Sequence, residues 1–128
     1  MSNVVEQNSA FGWCELMTTD TEAAKSFYTQ LFGWKLKDMS MEGIDYTTIS
    51  AGEQEIGGIM SVSAPPVQGN PPPHWGVYVT VEDVDASAKK AEELGATILV
   101  SPMDIPGVGR FSVIQDPQGA VLSIITYS

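Results

Sequence analysis

Two stretches of the chain carry the same pattern of apolar and polar positions. Trp13-Cys14-Glu15-Leu16-Met17-Thr18 reads as a strand and lies a fixed distance before Phe32-Gly33. Trp75-Gly76-Val77-Tyr78-Val79-Thr80 lies the same distance before Leu94-Gly95. Between each run and its glycine is a helical segment opened by acidic or hydroxyl residues. In the first, Ala24, Phe27, Tyr28 and Leu31 fall at helical spacing; in the second, Val84, Ala88, Ala91 and Leu94 do. Gly33 and Gly95 stand where a helix ends in a left-handed residue. Both helices are short and amphipathic, so each is expected to lie on a sheet.

The later parts of the two stretches match as well. Tyr46-Thr47-Thr48-Ile49 answers Phe111-Ser112-Val113-Ile114, and each is followed by a polar, glycine-containing turn, Ala51-Gly52-Glu53-Gln54 or Asp116-Pro117-Gln118-Gly119. Ile56-Gly57-Gly58-Ile59-Met60 then answers Val121-Leu122-Ser123-Ile124-Ile125. The order of elements repeats along with the residues, which marks an internal duplication. The expected class is α+β: two βαβββ modules, at residues 10–62 and 74–128, after a tail at 1–9. Residues 63–73, rich in proline, are expected to form a stiff extended connector.

A βαβββ unit covers one sheet face with its helix and leaves the other bare. Two such sheets can curl into a half-barrel whose inner faces line one cleft, and strand periodicity then assigns the facings. Leu16 belongs to the helix-facing core, which leaves Trp13, Glu15 and Met17 toward the cleft. Val77, Val79 and Val81 read as helix-facing, leaving His74, Gly76, Tyr78 and Thr80 on the other side. Ile56, Gly58 and Met60, and Val121, Ser123 and Ile125, complete the cleft lining.

Composition narrows the function classes. The chain has 128 residues, 43% of them hydrophobic, enough for one core and too few for two independent domains. Its net charge of -10 repels phosphates and argues against nucleic acid or an anionic membrane as partner. Residues 1–9 lack the basic flank and apolar stretch of a signal peptide. Cys14 is the sole cysteine, so no internal disulfide forms and a cytoplasmic location is the default. By alternation with Trp13 and Glu15, the Cys14 thiol is expected to be buried and inert.

The ordered set Glu15-Leu16-Met17-Thr18-Thr19-Asp20, Ala23-Ala24-Lys25-Ser26-Phe27-Tyr28, Leu31-Phe32-Gly33-Trp34, then Val81, Asp83-Val84, Ala88, Leu94-Gly95-Ala96 and Asp116-Pro117-Gln118-Gly119, resembles the glyoxalase/bleomycin-resistance/dioxygenase superfamily, the vicinal-oxygen-chelate (VOC) fold. The resemblance runs from about residue 11 to the end. Among its members the chain is most similar to small bacterial proteins related to lactoylglutathione lyase. The resemblance implies the half-barrel fold, and a function drawn from metal-dependent isomerases, epimerases, extradiol dioxygenases and thiol transferases, or from metal-free proteins that sequester antibiotics. Members of this size often pair, so a homodimer is compatible with it. Fold alone does not choose among these activities.

In the metal-dependent members, four cleft-facing side chains, normally histidine and carboxylate, hold one divalent ion. By motif spacing the resemblance places them here at Trp13, Gly58, Gly76 and Ser123, with Ile59 as the neighbour reached by a small shift in register. Tryptophan and glycine offer no ligand and serine is a poor one, so no metal or other cofactor is expected. Glu15 and His74, each two residues from one of these positions, would give a displaced site only two protein ligands.

The remaining candidates are weighed individually. His74, the sole histidine, is the only group for histidine-based acid–base chemistry, or else simply ends the proline connector. Glu15, a carboxylate in an apolar strand, is either a general base or a solvated wall paired with Arg110 or Lys35. Trp13, Met60, Tyr78, Ser123 and Ile125 are expected to contact a flat or apolar ligand, or to be core. Tyr46 and Arg110 come near the cleft mouth, and the Pro106-Gly107-Val108-Gly109 loop reads as a rim. The leading expectation is a metal-independent protein that binds a small, largely apolar molecule. A lyase or isomerase using Glu15 as base, and a scaffold whose cleft holds another protein's segment, remain open.

Overall fold

A computed structural model describes residues 7–39, 45–62, 72–105 and 108–127. Residues 63–71 of the expected connector, Pro106 and Gly107 of the expected rim, and residues 1–6 of the tail lie outside this set. The chain forms two compact units, Cys14–Trp75 and Met1–Trp13 with Gly76–Ser128. Strand β1 (Phe11–Thr18) therefore begins in one unit and ends in the other.

The Cys14–Trp75 unit contains the end of β1, α1 (Thr21–Phe32), β2 (Lys35–Asp38), β3 (Tyr46–Ala51) and β4 (Gln54–Ser61). Its strands are ordered β2-β3-β4-β1, with β1 parallel to β4 and the other pairs antiparallel. The Asp20 carboxylate starts α1 by accepting the Ala23 N–H at 3.0 Å. Gly33, at φ 71°, ends it and donates its N–H to the Thr29 carbonyl at 2.9 Å. Gly52, at φ 62°, is the first of two loop residues between Ala51 and Gln54, where a II′ hairpin needs positive φ.

Alternation places Leu16 with Ile49 and Ile59 beneath Ala24 and Tyr28 of α1. Met17, Met60 and Val62 form a separate cluster with Tyr46. Two expectations fail here. Phe27 and Leu31 do not join the buried stripe, and no residue of α1 is fully buried. The contact stripe is narrower than the sequence pattern, with Ala24 and Tyr28 making it. Ile56 packs with the helix-side core instead of lying on Gly58's face. The cause is a bulge: Ile49 opposes Gly57 but Ser50 opposes Glu55, leaving Ile56 as an extra residue that shifts the alternation.

The other unit repeats the plan with the rest of β5 (His74–Thr80), α2 (Val84–Glu93), β6 (Thr97–Ile105), β7 (Gly109–Gln115) and β8 (Val121–Tyr127). Its strands run β5-β8-β7-β6, again with the first pair parallel. Asp83 caps α2 through the Ala86 N–H at 3.2 Å. Asp116 closes the β7–β8 turn by accepting from the N–H groups of Gln118 and Ala120 at 2.9 and 3.0 Å. Val84, Ala88 and Ile124 form the helix-side core with Val79, Val81, Ile98 and Ile114. Leu94, expected in that stripe, is exposed just past the helix end. The N-terminal segment joins this sheet: Ser9 N–H donates to Thr80, and Thr80 N–H donates to Ala10. The architecture is α+β, two βαβββ modules in one chain.

Candidate functional site

The most developed polar arrangement lies in the Cys14–Trp75 unit, on the sheet surface that carries Met17 and Met60. In register, Glu15 on β1 and Thr48 on β3 both oppose Gly58 on β4, while Met17 and Tyr46 both oppose Met60. Tyr46 therefore starts one pair away from Glu15 and two strands over. Its ring leans diagonally across β4, and its hydroxyl donates to Glu15 Oε2 at 2.9 Å. Gly58 makes this crossing feasible, because a Cβ there would overlap the Tyr46 hydroxyl and ring. Glu15 is half-buried, and the phenol supplies the hydrogen bond that a carboxylate on an apolar surface requires.

That geometry bears directly on the metal positions. Trp13, Gly58 and Gly76 present no side-chain ligand, and Ser123 alone carries an oxygen. At Gly58, the space a ligating side chain would need is filled by the Tyr46 ring. Among the described residues, no group of three or more His, Cys, Asp or Glu side chains is gathered. The residues at the four positions do not fit the divalent ion.

The other candidates are distributed as follows. Trp13, Tyr78 and Ile125 come together with Phe111, Val100, Ile105, Val113 and Tyr127, so this sheet face is packed by its own side chains. The Tyr78 and Phe111 rings tilt against each other at 6.4 Å. Ser123 is in register with Tyr78 on β5 and Val113 on β7. Met60 is buried with Met17, Val62 and Tyr46. His74 is exposed at the first residue of β5, its Nδ1 2.8 Å from the Pro72 carbonyl. Cys14, expected to be buried, is exposed.

Arg110 is held by carboxylates. Its Nε and Nη2 donate to Asp85 at 2.7 and 3.0 Å, and its Nη1 donates to Asp104 at 3.2 Å. The guanidinium holds the Asp85 carboxyl below its usual value, and the two carboxylates raise Arg110 further. Beside it is a shallow depression of about 300 Å³ lined by Asp104, Ile105, Gly109, Arg110, Thr126 and Tyr127. With two carboxylates already on Arg110, it is no open anion site.

The sequence reading missed the bond between Tyr46 and Glu15. The available signal was glycine in a strand interior, which marks a place where another group comes close.

The model of the Glyoxalase/Bleomycin resistance protein/Dioxygenase superfamily matches residues 10–124. The chain belongs to that superfamily. The mycobacterial member named "Putative glyoxylase CFP32" (Mycobacterium tuberculosis, strain CDC 1551 / Oshkosh) is 41% identical over 127 residues, covering 97% of this chain and 46% of that protein. The anthracycline biosynthesis protein DnrV of Streptomyces peucetius is 33% identical over 123 residues, covering 88% of this chain and 45% of that protein. The chain thus spans just under half the length of these two relatives. Among solved superfamily-type folds, methylmalonyl-CoA epimerase from Mycobacterium tuberculosis superposes with a TM-score of 0.66 at 14% identity, covering 92% of this chain and 87% of the epimerase. A Streptomyces coelicolor methylmalonyl-CoA epimerase variant gives 0.68 at 15%, covering 95% and 99%. At such identity these structures show the shared VOC fold. No helix among the described residues is long and apolar enough to cross a membrane.

Proposed function

We propose that this VOC protein binds a small, largely apolar molecule without the superfamily's metal, and that the Glu15–Tyr46 pair is the polar anchor of its site. The observation that carries the reading is the crossing of Tyr46 over Gly58 to Glu15. It fills one of the four metal-ligand positions and leaves a fixed carboxylate–phenol pair beside Met17 and Met60. Apolar surface with a few oriented polar groups is the usual make-up of a small-molecule site. The likeness to a protein of anthracycline biosynthesis supports flat aromatic compounds as the first class to try.

The test is a thermal-shift titration with an anthracycline, other aromatic antibiotics and thiol conjugates, each with and without EDTA. A ligand at a hundred times its Kd stabilises by about 2.7 kcal/mol, a rise of roughly 5–15 °C in a domain of this size. The rise should survive EDTA and shrink in Tyr46→Phe and Glu15→Gln. Stoichiometric, tight uptake of Ni, Zn, Fe or Mn by the purified protein would overturn the metal-free reading.

A second reading makes Glu15 a general base in a lyase or isomerase. It is favoured by the half-buried, oriented carboxylate and by the epimerase names of the fold's neighbours. Hydrogen–deuterium exchange at a carbon beside a carbonyl in a bound ligand, lost in Glu15→Gln while binding persists, would select this reading over simple binding.

A further inference from the structure

The direction of the bond between Tyr46 and Glu15 bears on the chemistry of the ligand. The phenol is the donor, and its one proton is committed to Glu15 Oε2 at 2.9 Å. A phenolic oxygen that donates can still accept, and an ionised carboxylate only accepts. Toward anything that approaches, the pair therefore presents acceptors. It suits an incoming N–H group and has no proton to offer a carbonyl, carboxylate or phosphate oxygen.

We infer that the group anchored at the Glu15–Tyr46 pair is a protonated amine, so that the ligand is an aromatic or apolar amine; the inference rests on the small-molecule reading above. An ammonium brings three donors and a charge opposite to that of Glu15, and such charge-assisted bonds are the stronger kind. The Tyr46 ring, held across Gly58, adds an aromatic surface next to the carboxylate, and cations are drawn to such surfaces. Met17 and Met60 pack with that ring and keep its surroundings apolar, where a charge pair is screened less than in open water.

The cations of this sheet face stand at its other margin. Lys37, Thr48, Gly58 and Glu15 lie in one row across β2, β3, β4 and β1, and residues directly opposed share a face. Lys35 lies on that face too, opposite Ser50, while Leu36 between the lysines packs into the helix-side core. Three strand spacings of about 4.8 Å put Lys37 roughly 14 Å from Glu15 along the sheet. An anionic group entering here is drawn to β2, away from the pair, whereas an amine is drawn to Glu15. The net charge of -10 acts in the same sense, concentrating cations at the surface and repelling anions.

The test is isothermal titration calorimetry on the whole chain, at neutral pH and low salt, with three probes that share one ring system. They are 2-naphthylmethylamine, its uncharged N-acetyl derivative and 2-naphthylacetic acid. The amine should bind at least about tenfold tighter than the amide, a difference of about 1.4 kcal/mol, and the acid should bind most weakly. Glu15→Gln keeps an acceptor for the Tyr46 hydroxyl and removes the charge. In that variant the amine should fall to the affinity of the amide, and the amide should hardly change. An amide or acid that binds wild type as tightly as the amine overturns the inference, as does an amine preference that survives in folded Glu15→Gln; either leaves small-molecule binding standing. If none of the three binds, the reading beneath it falls as well. Should Glu15→Gln fail to fold, the order of the three probes in wild type decides by itself.

Discussion

Replacing Gly58 by alanine tests the centre of the site with the smallest available change. The added Cβ would overlap the Tyr46 hydroxyl and lie 2.8 Å from its Cε2, closer than real Cβ atoms approach other groups. The obstacle is a side chain, so Tyr46 must swing aside. Doing so breaks its 2.9 Å bond to Glu15 and opens its packing on Met17 and Met60. A lost hydrogen bond to a charged group costs about 1.5–3 kcal/mol, and forced overpacking adds about 1–3 kcal/mol. The strand glycine returns roughly 0.5–1 kcal/mol on becoming alanine. The net expectation is a loss of about 2–4 kcal/mol, or some 6–20 °C in Tm. Tyr46→Ala removes the obstacle and itself costs about 2–4 kcal/mol through lost packing and the lost bond. In Tyr46→Ala/Gly58→Ala there is nothing left to displace, so the double variant should be no less stable than Tyr46→Ala. The cycle, measured by urea unfolding followed by circular dichroism, should return a coupling of about 2 kcal/mol or more. Additive losses within about 0.5 kcal/mol would show that Tyr46 does not lie over Gly58, and the argument against a ligand at that position would fall with it.

Other perturbations probe the frame. At Gly57 the Cβ would overlap the Cys14 carbonyl, which is backbone in the paired strand; Gly57→Ala should loosen β1 from β4 and cost more than Gly58→Ala in the same unfolding assay. Asp20→Ala and Asp83→Ala each remove an N-cap and should lower stability by about 1 kcal/mol, with near-additive effects in the double variant. Ser112, fully buried, donates to the Val100 carbonyl at 2.7 Å; Ser112→Ala should cost about 1–2 kcal/mol, while Ser112→Thr should not rescue it, for want of space. Arg110 holds the Asp85 carboxyl below its ordinary 3.8. The group's folded pKa is depressed, so its contribution is present above 3.8 and lost as pH falls below it. In Arg110→Gln the Asp85 midpoint, read by NMR titration, should rise toward 3.8, and high salt should move wild type the same way.

The duplication was readable from the sequence because each module repeats a strand, a capped helix and a glycine in fixed order. Asp20 and Gly33 bound α1 by local chemistry, so no distant contact was needed to place it. The same holds for Asp116 in the last turn. Errors arose where a single local event changed the count or where burial depended on width. The bulge at Ile56 shifts the alternation and cannot be seen in the pattern. Phe27 and Leu31 have the spacing of a buried stripe, yet the sheet meets the helix only along Ala24 and Tyr28. The Tyr46–Glu15 bond spans 31 residues and is set by strand register, so neither residue type nor spacing announced it. The pairing of Arg110 went unread for the same reason: Asp85, on α2, reaches it from 25 residues away.

The way strands are finished at the sheet margins bears on where a second chain can attach. Strand β6 pairs with β7 and carries the exposed Leu99 and Met103, which would suit edge-to-edge pairing. Yet its register slips twice, between Ile98 and Val100 and between Val100 and Met103, and Pro102 in that stretch has no N–H to donate. Asp104 adds a charge already committed to Arg110. These are the means by which proteins keep an edge from templating another strand. On the other module, β2 is four residues long and contains Lys35, Lys37 and Asp38. A strand so short and charged offers little ladder to extend. Association through these two strands is thus opposed by their own sequences.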